Sequence, residues 1–355
     1  MQLFGMTLIK LGYLCPMKLV TGATGLVGSH LLLELSNKGF AVRAMKRSGS
    51  DMSLVNKVFG LYAPNPLKQL SAIEWVEADL TDISLLEELL EGVDGVFHCA
   101  AVVSFHPSRK REMMLTNVKG TANVVNALLR VGGVPLCHVS SIAALGRSEN
   151  NDAVTEENLW KNSGSNSLYS VSKYAAEREV WRGIAEGLEA VIVNPSVILG
   201  PGSWHAGSSE LFALVWKGLK FYTPGINGYV DVRDVARAMV LLTEKKIYGQ
   251  RFILSAANLS YLELFSMMAE GLGKPKPTIA VSPWMAEIAW RLMAVKGFFT
   301  GKTPAITRET ARSSLARKTY SSEKFTRTSG MDFMPIRQSV GDICQIFLKD
   351  HAADH

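Results

Sequence analysis

One glycine-rich string constrains the fold of this chain more than any other feature. It reads Thr-Gly-Ala-Thr-Gly-Leu-Val-Gly over residues 21–28. The short run 18–20 before it is typical of a buried parallel strand, and the leucines within 31–35 after it follow helical spacing. The glycines therefore lie on a turn from a strand into a helix. A doubly wound α/β fold with a parallel sheet begins in this way.

The spacing of these glycines suits a pyrophosphate. Gly22 permits a tight turn, Gly25 leaves room for the phosphates, and Gly28 lets the helix approach the sheet. The phosphates then meet free N–H groups and the dipole at the helix N-terminus. The alternative is a glycine-rich turn that binds no ligand. The residues assigned to binding here are Gly22, Thr24, Gly25, Leu26, Val27 and Gly28.

A tyrosine and a lysine further along the chain have the spacing that proton transfer needs. Reduction of a carbonyl requires an acid within hydrogen-bond reach of the oxygen. A free tyrosine, with a pKa of about 10, is a poor acid at neutral pH. Lys173 follows Tyr169 by one helical turn, so we expect its ammonium group to lower the pKa of the phenol.

Four segments in this order resemble the extended branch of the short-chain dehydrogenase/reductase superfamily, which includes NAD-dependent epimerases and dehydratases. They are the glycine-rich string, the strand-end serine segment 139–146, Tyr-Ser-Val-Ser-Lys at 169–173, and the segment 190–202 with its Pro-Ser and Gly-Pro-Gly strings. The resemblance runs over about 17–258 and points to dihydroflavonol-4-reductase-like and 3β-hydroxysteroid dehydrogenase-like members. It implies a Rossmann domain that binds a dinucleotide.

The resemblance also implies a catalytic set. Ser141, rather than Ser140, orients the substrate oxygen, while Tyr169 transfers the proton. Lys173 sustains the acidity of the tyrosine and holds the nicotinamide ribose. Asn117 matches an asparagine that supports the lysine through water. For Asn117 the alternative is a polar residue that distorts its helix and binds only backbone.

Further contacts with the dinucleotide are implied at three strand ends. His98 and Cys99, at one of these ends, are interpreted as packing residues rather than catalytic groups. The residues matched to the adenine, the adenosine and the nicotinamide carboxamide are, respectively, Asp79 and Leu80; Ala100, Ala101 and Val102; and Pro195, Ser196 and Val197.

Two basic residues indicate which dinucleotide is bound. Lys46 and Arg47 stand at the end of the second predicted strand. An acidic side chain there would take the ribose hydroxyls of NAD, whereas a 2′-phosphate needs cations. We therefore expect NADP(H), with NAD(H) less favoured. The alternative is that the two side chains merely solvate the strand end.

Composition excludes other classes of protein. The chain has 355 residues, of which 47% are hydrophobic, so it can bury a large core. Its net charge is +6, but the basic residues are scattered and no nucleic-acid motif is present. The four cysteines form no Cys-x-x-Cys pair. A reduced, cytoplasmic protein without a disulfide framework is the natural expectation. No metal site is predicted.

The predicted organisation is a nucleotide domain with a discontinuous, mostly helical substrate lobe. We expect an N-terminal extension over 1–16, a Rossmann domain over 17–200 and 229–258, and a lobe over 201–228 and 259–350. Candidates for the neighbourhood of the substrate are Trp204, His205, Phe212, Trp216 and Tyr222.

The segment 283–299 carries an apolar stripe at helical intervals, and its charged residues exclude a conventional transmembrane helix. It is interpreted as a lobe helix, a lid over an apolar substrate, or a shallow membrane contact. The stripe consists of Trp284, Ile288, Leu292, Val295 and Phe299.

The predicted function is therefore an NADP(H)-dependent oxidoreductase that interconverts a ketone and a secondary alcohol. Its substrate is expected to be a small molecule, apolar or ring-containing, and a homodimer is compatible with the family. One alternative is a nucleotide-sugar epimerase or dehydratase that holds NAD tightly. A second is a nonenzymatic NADP-binding redox sensor. The substrate and the physiological direction are left open by the sequence.

Overall fold

A seven-stranded parallel sheet forms the centre of the molecule. The computed structural model describes residues 16–104, 106–148, 152–163, 166–300 and 307–353. In spatial order the sheet runs β3-β2-β1-β4-β5-β6-β10, with every neighbouring pair parallel. Its strands are β1 (Met17–Thr21), β2 (Ala41–Lys46), β3 (Glu74–Glu77), β4 (Val93–His98), β5 (Leu136–Val139), β6 (Ala190–Pro195) and β10 (Gln250–Leu254).

This strand order confirms the predicted doubly wound α/β fold. The chain builds outward from β1 to β3, returns, and then builds outward from β4 in the other direction. The crevice beside the carboxyl ends of β1 and β4 is thus the topological switch point, where ligands bind in folds of this type. Helices cover both faces of the sheet, and all six residues of β6 are buried.

The helices belong to three groups. Packed on one face of the sheet are α1 (Leu26–Asn37), α2 (Ser53–Tyr62), α9 (Val232–Glu244) and α13 (Glu323–Ser329). On the other face lie α4 (Ile83–Leu89), α6 (Gly120–Val131) and α7 (Leu168–Ala185). The remaining helices are α3 (Pro66–Ser71), α5 (Lys110–Met113), α8 (Glu210–Trp216), α10 (Tyr261–Leu272), α11 (Pro283–Thr300), α12 (Arg308–Leu315) and α14 (Ile336–Ala353).

A smaller lobe stands on the carboxyl side of the sheet. It contains a three-stranded sheet in the order β11-β9-β7 and a separate pair, β8 with β12. Its core joins α8, α10 and α14 around Phe212, Leu264 and Phe347. The strands are β7 (Val197–Leu199), β8 (Phe221–Tyr222), β9 (Ile226–Asp231), β11 (Ala257–Ser260) and β12 (Ile279–Ala280).

The domain boundaries inferred from the sequence stay a prediction. Two segments pack in a different core from the domain to which the prediction assigns them. Strand β7 falls within the predicted nucleotide domain, yet its residue Leu199 packs in the core of the smaller lobe. Helix α13 falls within the predicted lobe, yet Phe325 packs against Phe252 of β10 with ring centroids 6.2 Å apart. Hydrophobic contact, rather than chain order, places α13 on the main sheet. The predicted extension 1–16 lies outside the described residues except for Pro16.

Most of the aromatic residues proposed for the substrate serve the lobe core instead. Phe212 is fully buried, and Trp204 contacts Phe347 edge to face at 4.9 Å. The Trp204 indole N–H also donates to Asp350 Oδ2 at 2.8 Å. Large aromatic side chains gain most free energy by burial in a core. His205 is exposed on its loop.

Helix α11 leaves the first part of its apolar stripe uncovered. Trp284, Ile288 and Leu292 are exposed. Val295 and Phe299 lie outside the residues whose side chains are described. Among the described helices, none has both the length and the hydropathy that a membrane crossing requires.

We expect Phe325→Ala to lower the free energy of unfolding by about 3–5 kcal/mol, because it removes a fully buried ring from the main core. The control, Phe221→Ala, removes a half-exposed ring and should change stability by less than about 0.5 kcal/mol. Urea denaturation of both variants measures the difference. Equal effects would contradict the assignment of α13 to the main core.

Candidate active site

The glycine-rich turn between β1 and α1 has two positions where a side chain cannot fit. Gly22 has φ of +66°, and a Cβ there would lie 2.5 Å from the backbone nitrogen of Ala100. A Cβ on Gly28 would lie 2.2 Å from the carbonyl oxygen of Gly22. Gly25 is exposed, and the nearest atom to a Cβ there would be 3.4 Å away. The turn is therefore close-packed on its inner side and open on its outer side.

The N-terminus of α1 fits a pyrophosphate. Within the part of the chain that the structure describes, no side chain caps this helix, and its first turn has no acidic residue. Its first backbone N–H groups and the positive end of its dipole are thus directed toward the open side of the turn. An anion placed beside Gly25 would meet donors rather than repulsive charge.

Two residues that follow β3 are held by short polar contacts. The Asp79 carboxylate accepts from the Thr81 backbone N–H at 2.8 Å and from the Thr81 hydroxyl at 2.6 Å. These bonds, assisted by the charge of Arg47, lower the pKa of Asp79. Asn123 Nδ2 donates to the carbonyl oxygen of Leu80 at 2.8 Å. Both residues are thereby fixed at the edge where the adenine is expected.

Lys46 and Arg47 are placed differently at the end of β2. Lys46 Nζ forms an ion pair with Glu77 Oε1 on the neighbouring β3, at 3.3 Å. Arg47 is exposed, and among the described residues it forms no ion pair. Hydrogen bonds from Thr81 and Arg109 lower the pKa of Asp79 and of Glu112, respectively, and the charge of Arg47 adds to both effects. Arg47 is therefore the cation of the pair that is open to a ligand.

Helix α7 carries the tyrosine and the lysine, and the serine follows the end of β5 by two residues. The side chains of Ser141 and Tyr169 are hydrogen-bonded. Ser141 Oγ also accepts from the backbone N–H of Ala143 at 3.1 Å, which orients the hydroxyl. Burial raises the pKa of Tyr169, and the bond with Ser141 opposes that rise. The two hydroxyls predicted to contact the substrate oxygen are thus brought together.

Lys173 is buried, and its side chain reaches toward β5. Its Nζ donates to the carbonyl oxygen of Val139 on β5 at 2.8 Å. Burial lowers the pKa of Lys173 to about 8, while Glu177 and Cys99 oppose the fall. The predicted effect of this lysine on the pKa of Tyr169 stays a prediction.

Asn117 joins two parts of the site. It lies in a π-helical turn, Met114–Lys119, between α5 and α6. Its Oδ1 accepts from the Val102 backbone N–H at 2.7 Å, and its Nδ2 donates to the Val102 carbonyl at 3.0 Å. Nδ2 also donates to Ser172 Oγ on α7, at 3.0 Å. The asparagine thus distorts its helix and binds backbone, as one alternative held, but it also connects α7 to the loop after β4.

His98 is buried and Cys99 is half-buried beneath the site, both as neutral groups. His98 shares hydrogen bonds with the hydroxyls of Thr21, at 2.7 Å, and Thr121, at 2.9 Å. Burial lowers the pKa of His98 to about 3 and raises that of Cys99 to about 12. Such values suit packing rather than acid–base chemistry near neutral pH.

The segment after β6 presents one unused polar group. Ser196 is held through its backbone N–H, which donates to the Leu254 carbonyl at 2.9 Å. Its Oγ is buried and has no hydrogen-bond partner among the described residues. Pro195 ends β6 and Val197 begins β7, so the serine stands at the junction of the two sheets.

Comparison with known proteins agrees with this geometry. Residues 18–253 match the model of the NAD dependent epimerase/dehydratase family. The chain belongs to this family. It is thus an enzyme of the nicotinamide-dependent class that acts on CH–OH or carbonyl groups of small molecules, and the resemblance inferred from the motifs is confirmed.

Individual relatives cover most of the chain. A Synechocystis sp. protein named as a candidate dihydroflavonol 4-reductase is 28% identical over 338 residues, which are 92% of this chain and 93% of the relative. Cinnamoyl-CoA reductase 1 of Oryza sativa subsp. japonica is 31% identical over a match that covers 71% of this chain and 74% of the length of the relative. The crystal structure of gox2253 has a TM-score of 0.78 at 30% identity, covering 94% of this chain and 98% of that one.

Sequence reasoning missed a buried carboxylate in the site. Glu177 follows Lys173 by four residues on α7 and is 2% exposed. The available signal was its spacing: Tyr169, Lys173 and Glu177 recur every four residues and so share one helix face. A glutamate in a helix is usually solvated, and its partners come from strands distant in sequence.

We expect Gly28→Ala to weaken NADPH binding by at least about tenfold, since its Cβ would meet the Gly22 carbonyl and displace the phosphate-binding turn. Gly60→Ala is the matched control, because a Cβ there meets no atom within 4 Å. Nicotinamide fluorescence titration measures both. Unchanged affinity in Gly28→Ala would remove the turn from the cofactor site.

Proposed function

We propose that this protein is an NADP(H)-dependent reductase that interconverts a ketone and a secondary alcohol. The observation that carries the proposal is the hydrogen-bonded pair of Ser141 and Tyr169, with Lys173 one turn along the same helix. This group lies at the carboxyl edge of the sheet, on the side where the α1 N-terminus fits a pyrophosphate. Proton transfer and dinucleotide binding are therefore supported at one crevice.

Each residue has a separate part in the reduction. A bound nicotinamide supplies the hydride that reaches the carbonyl carbon. Tyr169 donates its phenolic proton to the developing alkoxide, and Ser141 donates a hydrogen bond that orients the same oxygen. Lys173, as an ammonium ion, favours the phenolate that remains on Tyr169. Asn117 holds α7 against the loop after β4 and so keeps Tyr169 and Lys173 in position.

The choice of NADP(H) over NAD(H) is supported by Arg47. It is an exposed cation at the end of β2, where a 2′-phosphate would need charge-assisted hydrogen bonds. No Asp or Glu stands at 46 or 47 to take the ribose hydroxyls. Lys46 contributes less, because Glu77 already neutralises it.

The substrate is proposed to be a small molecule with a carbonyl beside an apolar or ring-containing body. The names of the relatives, a dihydroflavonol reductase and a cinnamoyl-CoA reductase, favour such a ring. Dimerisation, a peripheral membrane contact and a cytoplasmic location stay predictions.

Two alternatives are less well supported. A nucleotide-sugar epimerase or dehydratase would retain NAD, which the open cation at Arg47 does not favour. A redox sensor needs no proton donor, whereas Tyr169 is built into a hydrogen bond with Ser141. Identification of the dinucleotide released on denaturation separates the epimerase from the reductase.

We expect Arg47→Ala to weaken NADPH binding by about 10- to 100-fold and to leave NADH binding unchanged, because only NADPH carries the 2′-phosphate. Lys46→Ala, with its ion pair to Glu77, should change NADPH affinity by less than about threefold. Parallel fluorescence titrations measure all four values. Equal losses for both dinucleotides in Arg47→Ala would contradict the phosphate contact.

We expect Tyr169→Phe to lower kcat for ketone reduction by at least about 100-fold, with NADPH affinity retained, because the proton donor is lost. Tyr174→Phe is the control on the same helix, since that ring stacks on Trp160 at 4.5 Å. Steady-state kinetics with a panel of aryl ketones provides the measurement. A wild-type kcat in Tyr169→Phe would favour a different acid, whereas no ketone reduction by the wild type would favour the sensor.

A further inference from the structure

Glu177 is a buried charge on the catalytic face of α7. It lies one helical turn beyond Lys173, and its side chain is 2% exposed. A carboxylate is costly to bury unless it is paired and hydrogen-bonded. Hydrogen-bond and ion-pair partners must therefore offset the cost of burying this carboxylate.

Four donors surround this carboxylate. Oε2 accepts from Ser140 Oγ at 2.5 Å and from Asn194 Nδ2 at 2.7 Å. Oε1 accepts from Arg251 Nη1 at 3.0 Å and from Trp181 Nε1 at 3.2 Å. Each carboxylate oxygen thus accepts two hydrogen bonds, and one of the four donors, Arg251, is a cation. The set joins α7 to the end of β5, to β6 and to β10.

The same contacts hold the backbone that carries the catalytic serine. Asn194 Nδ2 donates to the carbonyl oxygen of Ser141, at 3.0 Å, as well as to Glu177. The backbone N–H of Ser140 donates to the Val193 carbonyl at 2.8 Å. The neighbouring carbonyl of Val139 is the acceptor of Lys173. Glu177 therefore contacts the short stretch of chain on which both Lys173 and Ser141 depend.

Glu177 also sets the charge around Lys173. The ionisable groups that face this lysine are His98 and Cys99 on the β4 side, His138 on β5, and Glu177 on its own helix. Burial keeps the two histidines neutral by lowering their pKa values, and it raises the pKa of Cys99 to about 12. Glu177 is then the anion that opposes deprotonation of the buried ammonium group.

We propose that Glu177 is a positioning residue of the active site: it clamps the end of β5 to α7 and keeps Lys173 in its ammonium form. The inference rests on the proposed reductase function, since that function gives Lys173 its task. It assigns Glu177 no direct contact with substrate or dinucleotide.

The sign of the pH effect follows from this arrangement. Reduction needs the ammonium form of Lys173, which is present below its pKa and lost as the pH rises through that value. Removing the negative charge of Glu177 lowers the pKa of Lys173. The high-pH limb of the kcat profile therefore moves to lower pH when the charge is removed.

The test compares Glu177→Gln with Glu179→Gln on the same helix, where Glu179 pairs with the half-exposed Arg182. We expect Glu177→Gln to lower kcat by about 10- to 100-fold, with KM and NADPH affinity changed less than about threefold. Its high-pH limb should move down by about one pH unit. Glu179→Gln should match the wild type in both respects. An unmoved limb, or a kcat within threefold of the wild type, would overturn the proposal.

A second readout does not depend on turnover. Lysine labelled with ¹³C at Cε gives an NMR signal for Lys173, assigned with Lys173→Arg, and its titration reports the pKa directly. We expect a midpoint near 8 in the wild type and a lower one in Glu177→Gln. If the wild type reduces no ketone, the proposed function fails while this titration still decides the role of Glu177. Identical titrations in both proteins would refute it.

Glu177→Asp covers the case in which Glu177→Gln does not fold. It keeps the charge but shortens the reach to Ser140 and Asn194 by one methylene. If Glu177 positions the end of β5, Glu177→Asp lowers kcat but leaves the high-pH limb of the kcat profile where it is in the wild type. A wild-type kcat in Glu177→Asp would show that the clamp is unnecessary.

Discussion

Buried polar contacts between helix α7 and the carboxyl edge of the sheet are the interaction on which the catalytic geometry depends. Ser172 is tied to Asn117, Lys173 to the Val139 carbonyl, and Glu177 to Ser140. Each bond lies in a dry interior, where an unpaired polar group costs far more than in water. The helix therefore cannot slide or rotate on the sheet without breaking several bonds together, and the distance from Tyr169 to Ser141 is preserved.

Few side chains are charged where α7 meets the carboxyl edge of the sheet. The histidines and cysteine beneath it are kept neutral by burial, so Lys173 and the carboxylate of Glu177, with its partner Arg251, carry the buried charge. The dinucleotide side is arranged differently, with an uncapped helix N-terminus and an exposed Arg47. The residues proposed for proton transfer thus lie in the buried interior, whereas the residues proposed for phosphate binding lie where a ligand can reach their charges.

Local motifs predicted the parts of the site that depend on neighbouring residues in the chain. Gly22 and Gly28 were identified because the turn they form is nearly contiguous in sequence, and the structure leaves no room for a Cβ at either. Tyr169 and Lys173 share a helix face for the same reason. The distinct roles of Lys46 and Arg47 were not predictable, since the decisive ion pair comes from Glu77 on another strand. The packing of Trp204 and Phe212 likewise depends on α14, more than a hundred residues away.

The sequence by itself determined the fold class and the family, and it predicted the tyrosine, lysine and serine of the proposed site, because glycine spacing and helical periodicity are local properties. Only the tertiary structure decided where Lys173 directs its ammonium group, how Asn117 is used, and that Glu177 is buried. Those outcomes depend on which strand ends meet α7. Backbone carbonyls and side chains from β5, β6 and β10 become its partners through folding alone, and no local pattern encodes their distances.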